Sequence, residues 1–173
     1  MAKHFVVRLD NMSGTTDGTL LRSVRFNDGS ADAAIDNGSV VKLEGLMTGE
    51  RELWKGVKPA ANTPVDEVVL IATPEVMADE NLRNLSDFYN EAGANARGYK
   101  FHAGDIFSVS TDAIDGTVTV GHVVELQAST KLKDVASATS GSTVIGKVIQ
   151  TEKVGTITYA VIEVAPKVAS AGE

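Results

Sequence analysis

The chain is a succession of short apolar alternations cut by turn residues, and a period of two commits it to β-structure. Successive side chains of a strand point to opposite faces, so an apolar residue at every second position buries one face and leaves the other wet. The segments HFVVRL (4–9), TLLRSVRF (19–26), SVVKLEGL (39–46), DEVVLIA (66–72), DIFSVS (105–110), TVTVGHVVEL (117–126), STVIGKVIQTEKV (142–154) and ITYAVIEV (157–164) all carry the β-branched and aliphatic residues that favour strands. Eight such segments predict a mainly β fold, a small barrel or sandwich of about eight strands.

Asp-Gly and Asn-Gly pairs at 17/18, 28/29, 37/38 and 115/116 supply backbone suited to tight turns, and 115/116 is expected to join two strands as a hairpin. A second regularity surrounds Gly38, Gly104, Gly121 and Gly146, each followed by one polar and two apolar residues. A glycine there permits a bend or bulge as the strand begins, and the apolar pair lets that strand face two packed surfaces. The expected organisation is a single β-rich domain over 1–165, with lobes 1–110 and 111–165 as the alternative division, and a flexible tail over 166–173.

One stretch departs from the alternation. In residues 78–93, Leu82, Leu85, Phe88 and Tyr89 fall at helical spacing, with Asp79 available as an N-cap and Gly93 as a stop. Asn81, Asn84 and Asn90 weaken that propensity, so residues 73–100 read as an irregular or short helical excursion.

Composition narrows the chemistry. Cysteine is absent, which removes thiol catalysis, cysteine-based zinc sites and disulfides. His4, His102 and His122 show no metal-ligand spacing. Gly93 and Gly98 are separated as in a phosphate-binding loop but are followed by Tyr99 and Lys100, without the hydroxyl that would ligate magnesium. TSGSTV (139–144) lacks a nucleophile elbow, and Asp10, Asp17, Asp32 and Asp36 lack calcium-loop spacing. The expectation is therefore no enzyme, no cofactor and no metal. A net charge of −7 with dispersed basic residues opposes nucleic-acid binding, and Arg22/Arg25 and Lys131/Lys133 read as solvated strand faces. No apolar run approaches the ~20 residues of a membrane span, and the first residues do not resemble a secretion signal.

Two blocks, IDNGSVVKLEGLMTGERELWKGVKP (35–59) and NLRNLSDFYNEAGANARGYKFHAGDIFSVS (81–110), carry an Asn-Gly-x-Val turn at Asn37, Gly38 and Val40, the run Gly49-Glu50-Arg51-Glu52, a block with Leu85, Phe88, Asn90 and Gly93, and a strand with Gly104, Asp105, Phe107, Ser108 and Val109. In these features the chain resembles the head decoration, or cement, proteins of tailed bacteriophages. The resemblance implies a structural virion protein, made in the host cytoplasm, that binds the exterior of the capsid and stabilises or decorates it. It implies the major capsid protein as partner and leaves self-association, for instance as a trimer, open. A tail-tube or head-completion subunit and a carbohydrate-binding module are the alternatives. The excursion offers Phe88, Tyr89, Arg97 and Tyr99 as candidate capsid contacts, because aromatic residues and arginine are enriched at interface hot spots.

Overall fold

Val68–Ile71 is a run of four apolar residues, and all four are fully buried. A strand sends neighbouring side chains to opposite sides, so such a run needs packing on both faces. Both faces are supplied. Val69 and Ile71 enter one hydrophobic cluster, whereas Val68 and Leu70 enter another.

The computed structural model describes residues 4–79, 81–82 and 84–165; the predicted tail at 166–173 lies outside them. The strands in chain order are β1 (Val7–Asn11), β2 (Leu21–Phe26), β3 (Val40–Leu46), β4 (Leu53–Val57), β5 (Val68–Ile71), β6 (Ala96–Lys100), β7 (Ile106–Ser110), β8 (Ile114–Asp115), β9 (Val123–Glu125), β10 (Leu132–Val135), β11 (Val144–Val154) and β12 (Ile157–Val164). The fold is mainly β, as the alternation predicts. Five strands close a barrel in the order β2-β4-β3-β5-β6, and seven form a sheet in the order β1-β7-β12-β11-β9-β10-β8.

The barrel is narrow. Val24, Phe26, Val41, Leu43, Val69, Ile71 and Ala96 form its core together with Ile35. Two positions on its wall have no room for a side chain: a Cβ on Gly56 would sit 2.5 Å from a methyl of Val24, and one on Gly98 would sit 2.7 Å from a methyl of Val69. On the other side of the same wall, Val40, Val68, Leu70 and Tyr99 pack into the core of the seven-stranded sheet, beside Phe107, Val109, Ala160 and Ile162. The cross-strand pairs Val109↔Ala160 and Phe107↔Ile162 place those four on one face.

The glycine regularity resolves into two devices. Gly38, Gly104 and Gly121 have φ of 83°, 86° and 93°, and each occupies the third position of a turn that delivers the chain into β3, β7 or β9. Gly146 instead lies inside β11, where the pairing with β9 slips by a residue.

Several expectations need correction. Asp115–Gly116 closes no hairpin: β8 pairs in parallel with β10, and of the expected strand 117–126 only Val123–Glu125 joins the sheet. The long hairpin is β11–β12, turned by Gly155 with φ of 62°. Among its described residues the excursion holds one short 3₁₀ turn, Leu85–Asp87. Asp79 accepts from the backbone N–H of Asn81 at 2.8 Å, a local turn that replaces the helix cap. The excursion ends sooner than expected, because 96–100 is barrel strand β6.

Candidate functional site

The parallel pairing of β2 with β4 and the antiparallel pairing of β2 with β6 set the geometry of a surface cleft. Ser23 is opposite Leu53 on one side and Arg97 on the other, and Arg22 is opposite Gly98. Arg51 lies in the turn just before β4. Three distant segments thus bring Arg22, Arg51 and Arg97 to one cleft of about 660 Å³, which Trp54, Thr73 and Asn95 also line.

The arginines are held differently. Arg22 is partly covered, and its guanidinium donates to the backbone carbonyls of Thr19 and Leu21 at 2.8 and 2.6 Å. Arg51 and Arg97 are exposed. None of the three lies within ion-pair distance of a carboxylate of the described residues, although Glu52 borders the same cleft. Arg25 differs: it donates to the Asn95 side-chain carbonyl through Nε and Nη2 at 3.1 and 2.8 Å, which leaves the Asn95 amide N–H groups to point elsewhere. Thr73 Oγ1 accepts from the Arg97 backbone N–H at 2.9 Å, and its own proton remains to be donated. The cleft is consequently rich in donors.

The four candidate contacts do not form one surface. Arg97 is in the arginine cleft. Tyr89 is 38% exposed and stacks on His4 with ring centroids 4.6 Å apart, beside a second cleft of about 360 Å³ that Phe5, Asp36 and Lys131 also line. Phe88 is half-buried. Tyr99 is buried in the sheet core, with its ring against Gly14, and offers no surface to a partner. Arg97 and Tyr99 project to the same side of β6, but the 3₁₀ turn Ser13–Thr15 covers only the tyrosine end.

Sequence reasoning named Arg51 only within the run 49–52 and not as a contact, missed Trp54, and read Arg22 as part of a solvated face. No local signal could have gathered them, since the cleft depends on a parallel strand pairing between segments some thirty residues apart.

Elsewhere the buried carboxylates Asp105, Glu125 and Asp134 are paired. Burial works to raise the Glu125 carboxyl pKa, but donation by the Thr139 backbone N–H at 2.8 Å and hydroxyl at 2.7 Å, with Lys133 at 3.5 Å, outweighs it and holds the group below the usual carboxylate range. Burial pushes the Tyr159 phenol up, against the opposing Arg8 guanidinium 5.5 Å from its ring. Among the described residues, no three histidine, aspartate or glutamate side chains gather as a metal-binding group. No protein-family model matches the chain, and no curated protein or solved structure shows significant similarity to it.

Proposed function

We propose that this chain is a structural virion protein that binds the outer surface of a bacteriophage capsid. The observation that carries the reading is that the two blocks resembling decoration proteins are stitched to each other in the fold. Asn90, from the second block, donates to the Ile35 carbonyl at 3.1 Å and to Asn37 Oδ1 at 3.2 Å. Asn37, from the first, donates to the Thr73 carbonyl at 2.8 Å and accepts from the Thr73 N–H at 3.0 Å. Both asparagines are buried, and unpaired amides there would each cost about 1–3 kcal/mol. Asp105, also buried, ties the start of the resembling strand to Ser13 through the Ser13 backbone N–H at 3.0 Å. Asn37, Asn90 and Asp105, three of the resembling residues, thus hold one unit together, which is how part of a family resemblance in a scaffold protein is expected to be distributed.

A body with two cores on either side of one barrel wall also suits a load-bearing role. The test is co-sedimentation of the purified protein with capsids of the phage that encodes it, before and after expansion, and with unassembled coat protein. Saturable binding to expanded capsids alone is the expected result. Rings or tubes formed by the protein by itself, with bare capsids, would overturn the reading in favour of a tail-tube subunit.

A further inference from the structure

We infer that the arginine cleft is a docking site for an acidic, extended protein segment that presents its carboxylates to Arg22, Arg51 and Arg97. The inference rests on the capsid reading for the identity of the partner, an acidic segment of the coat protein, and goes beyond it in naming the face and the chemistry.

Three observations carry it. First, the charges run against the rest of the molecule. The chain has 23 acidic and 16 basic residues, yet here three arginines meet with no carboxylate of the described residues in ion-pair range. Some surface cations do find partners, Lys42 with Glu67 at 3.2 Å and Lys55 with Glu44 at 2.7 Å, and those without one among the described residues, such as Lys147 and Lys153, do not line this cleft. Like charges gathered without counter-charges repel one another, and an incoming carboxylate removes that repulsion.

Second, the remaining lining is matched to acceptors. The Asn95 carbonyl is already taken by Arg25, so its amide presents N–H groups, and Thr73 has a hydroxyl proton to give. Guanidinium groups bind carboxylates with two parallel N–H bonds, which fixes orientation as well as charge. Trp54 adds an apolar wall for the aliphatic part of a glutamate or for a neighbouring residue.

Third, the charge of the body selects the kind of anion. A nucleic acid requires a track of many cations, whereas this cleft has three, bordered by Glu52 on a protein of net charge −7. A short acidic peptide segment needs only the local site.

Trp54 is the only tryptophan of the chain and lines the cleft, so its fluorescence reports occupancy directly. Hexaglutamate, hexalysine and a short oligothymidylate are titrated into the full chain at low salt. A saturable change with hexaglutamate that weakens as salt is raised, with none from hexalysine, is the expected result. The double variant Arg51→Gln/Arg97→Gln should lose about tenfold or more in affinity for hexaglutamate, at an unchanged urea midpoint, because both side chains are exposed and hold no hydrogen bond among the described residues. Arg51→Lys/Arg97→Lys should recover part of that loss. Silence with hexaglutamate, equal binding by the double Gln variant, or tighter binding of oligothymidylate overturns the inference. On capsids, the double Gln variant should lose occupancy by a similar factor, and full occupancy would overturn the inference while sparing the capsid reading. Wild-type protein that leaves expanded capsids bare refutes the capsid reading, and the peptide titration then decides the cleft by itself.

Discussion

Replacing Gly98 with alanine tests whether the barrel is as tightly closed as its geometry states. The new Cβ would sit 2.7 Å from Val69 Cγ2, 3.1 Å from Val69 Cβ and 3.1 Å from Val24 Cγ2. Favourable carbon contacts begin near ~3.5 Å, so the shortfall is about 0.8 Å against the first of these. Neither valine can yield easily. Both are fully buried, and a β-branched side chain has few alternative rotamers. Overpacking of this kind costs about 1–3 kcal/mol. The loss of glycine's freedom in the unfolded chain returns about 0.4–1 kcal/mol, since the φ of Gly98 is not in the left-handed region. The net expectation is destabilisation by about 1–2 kcal/mol, read as a lower urea midpoint of Trp54 fluorescence. Gly45→Ala is the internal control, because it also lies in a barrel strand but its Cβ would meet nothing within 4 Å. It should be neutral or stabilise by up to about 1 kcal/mol. Val69→Ala removes the methyl in the way, so the double variant Gly98→Ala/Val69→Ala should be more stable than the sum of the single changes by about 1 kcal/mol or more. A Gly98→Ala protein as stable as Gly45→Ala, or a double variant that is merely additive, would refute the close-packed lumen.

Two further outcomes follow from the buried polar groups. Glu125→Gln should cost about 1–3 kcal/mol at pH 7; because the folded carboxyl titrates below its unfolded value, its contribution is present above that value, near ~4.3, and is lost as pH falls through the folded one. Urea melts of both proteins from pH 7 to pH 3 should therefore converge at the acid end, and a gap that does not change with pH would contradict this assignment. Adjacent residues should also diverge: Asn90→Ala should cost about 2 kcal/mol by removing two buried amide hydrogen bonds, to the Ile35 carbonyl and to Asn37 Oδ1, each of which keeps a backbone N–H donor, whereas Tyr89→Ala should cost at most about 1 kcal/mol, since its exposed ring loses only a stack on His4. Equal losses in urea melts of the two variants would count against that division between core and surface.

The strands legible from sequence are those whose burial is told by alternation; the short β8 and β10 escaped it without a glycine, and the two barrel strands that escaped it share a physical cause. β12 (Ile157–Val164) coincides with its predicted bounds and β11 (Val144–Val154) nearly does, because long runs of β-branched residues have no competing reading. β4 (Leu53–Val57) and β6 (Ala96–Lys100) went unread, and each carries a glycine in its interior. Glycine within a strand ordinarily weakens it and signals a loop. In a five-stranded barrel the meaning reverses, since valines of the neighbouring strands crowd the lumen so closely that at Gly56 and Gly98 only a residue without a Cβ fits. Gly56 and Gly98 are therefore part of the lumen pattern: Trp54 and Gly56 alternate along β4, as Ala96 and Gly98 do along β6, and each small residue is set against a valine from a neighbouring strand. The same reversal explains the cleft. Its arginines stand on or beside these two strands and β2, so a reading that leaves β4 and β6 as loops leaves Arg51 and Arg97 with nothing to be near. Arg22 then remains one half of a solvated pair. Once the two glycine strands are restored, the closed order β2-β4-β3-β5-β6 puts β2 between β4 and β6, and the three arginines are brought together without any local sequence motif.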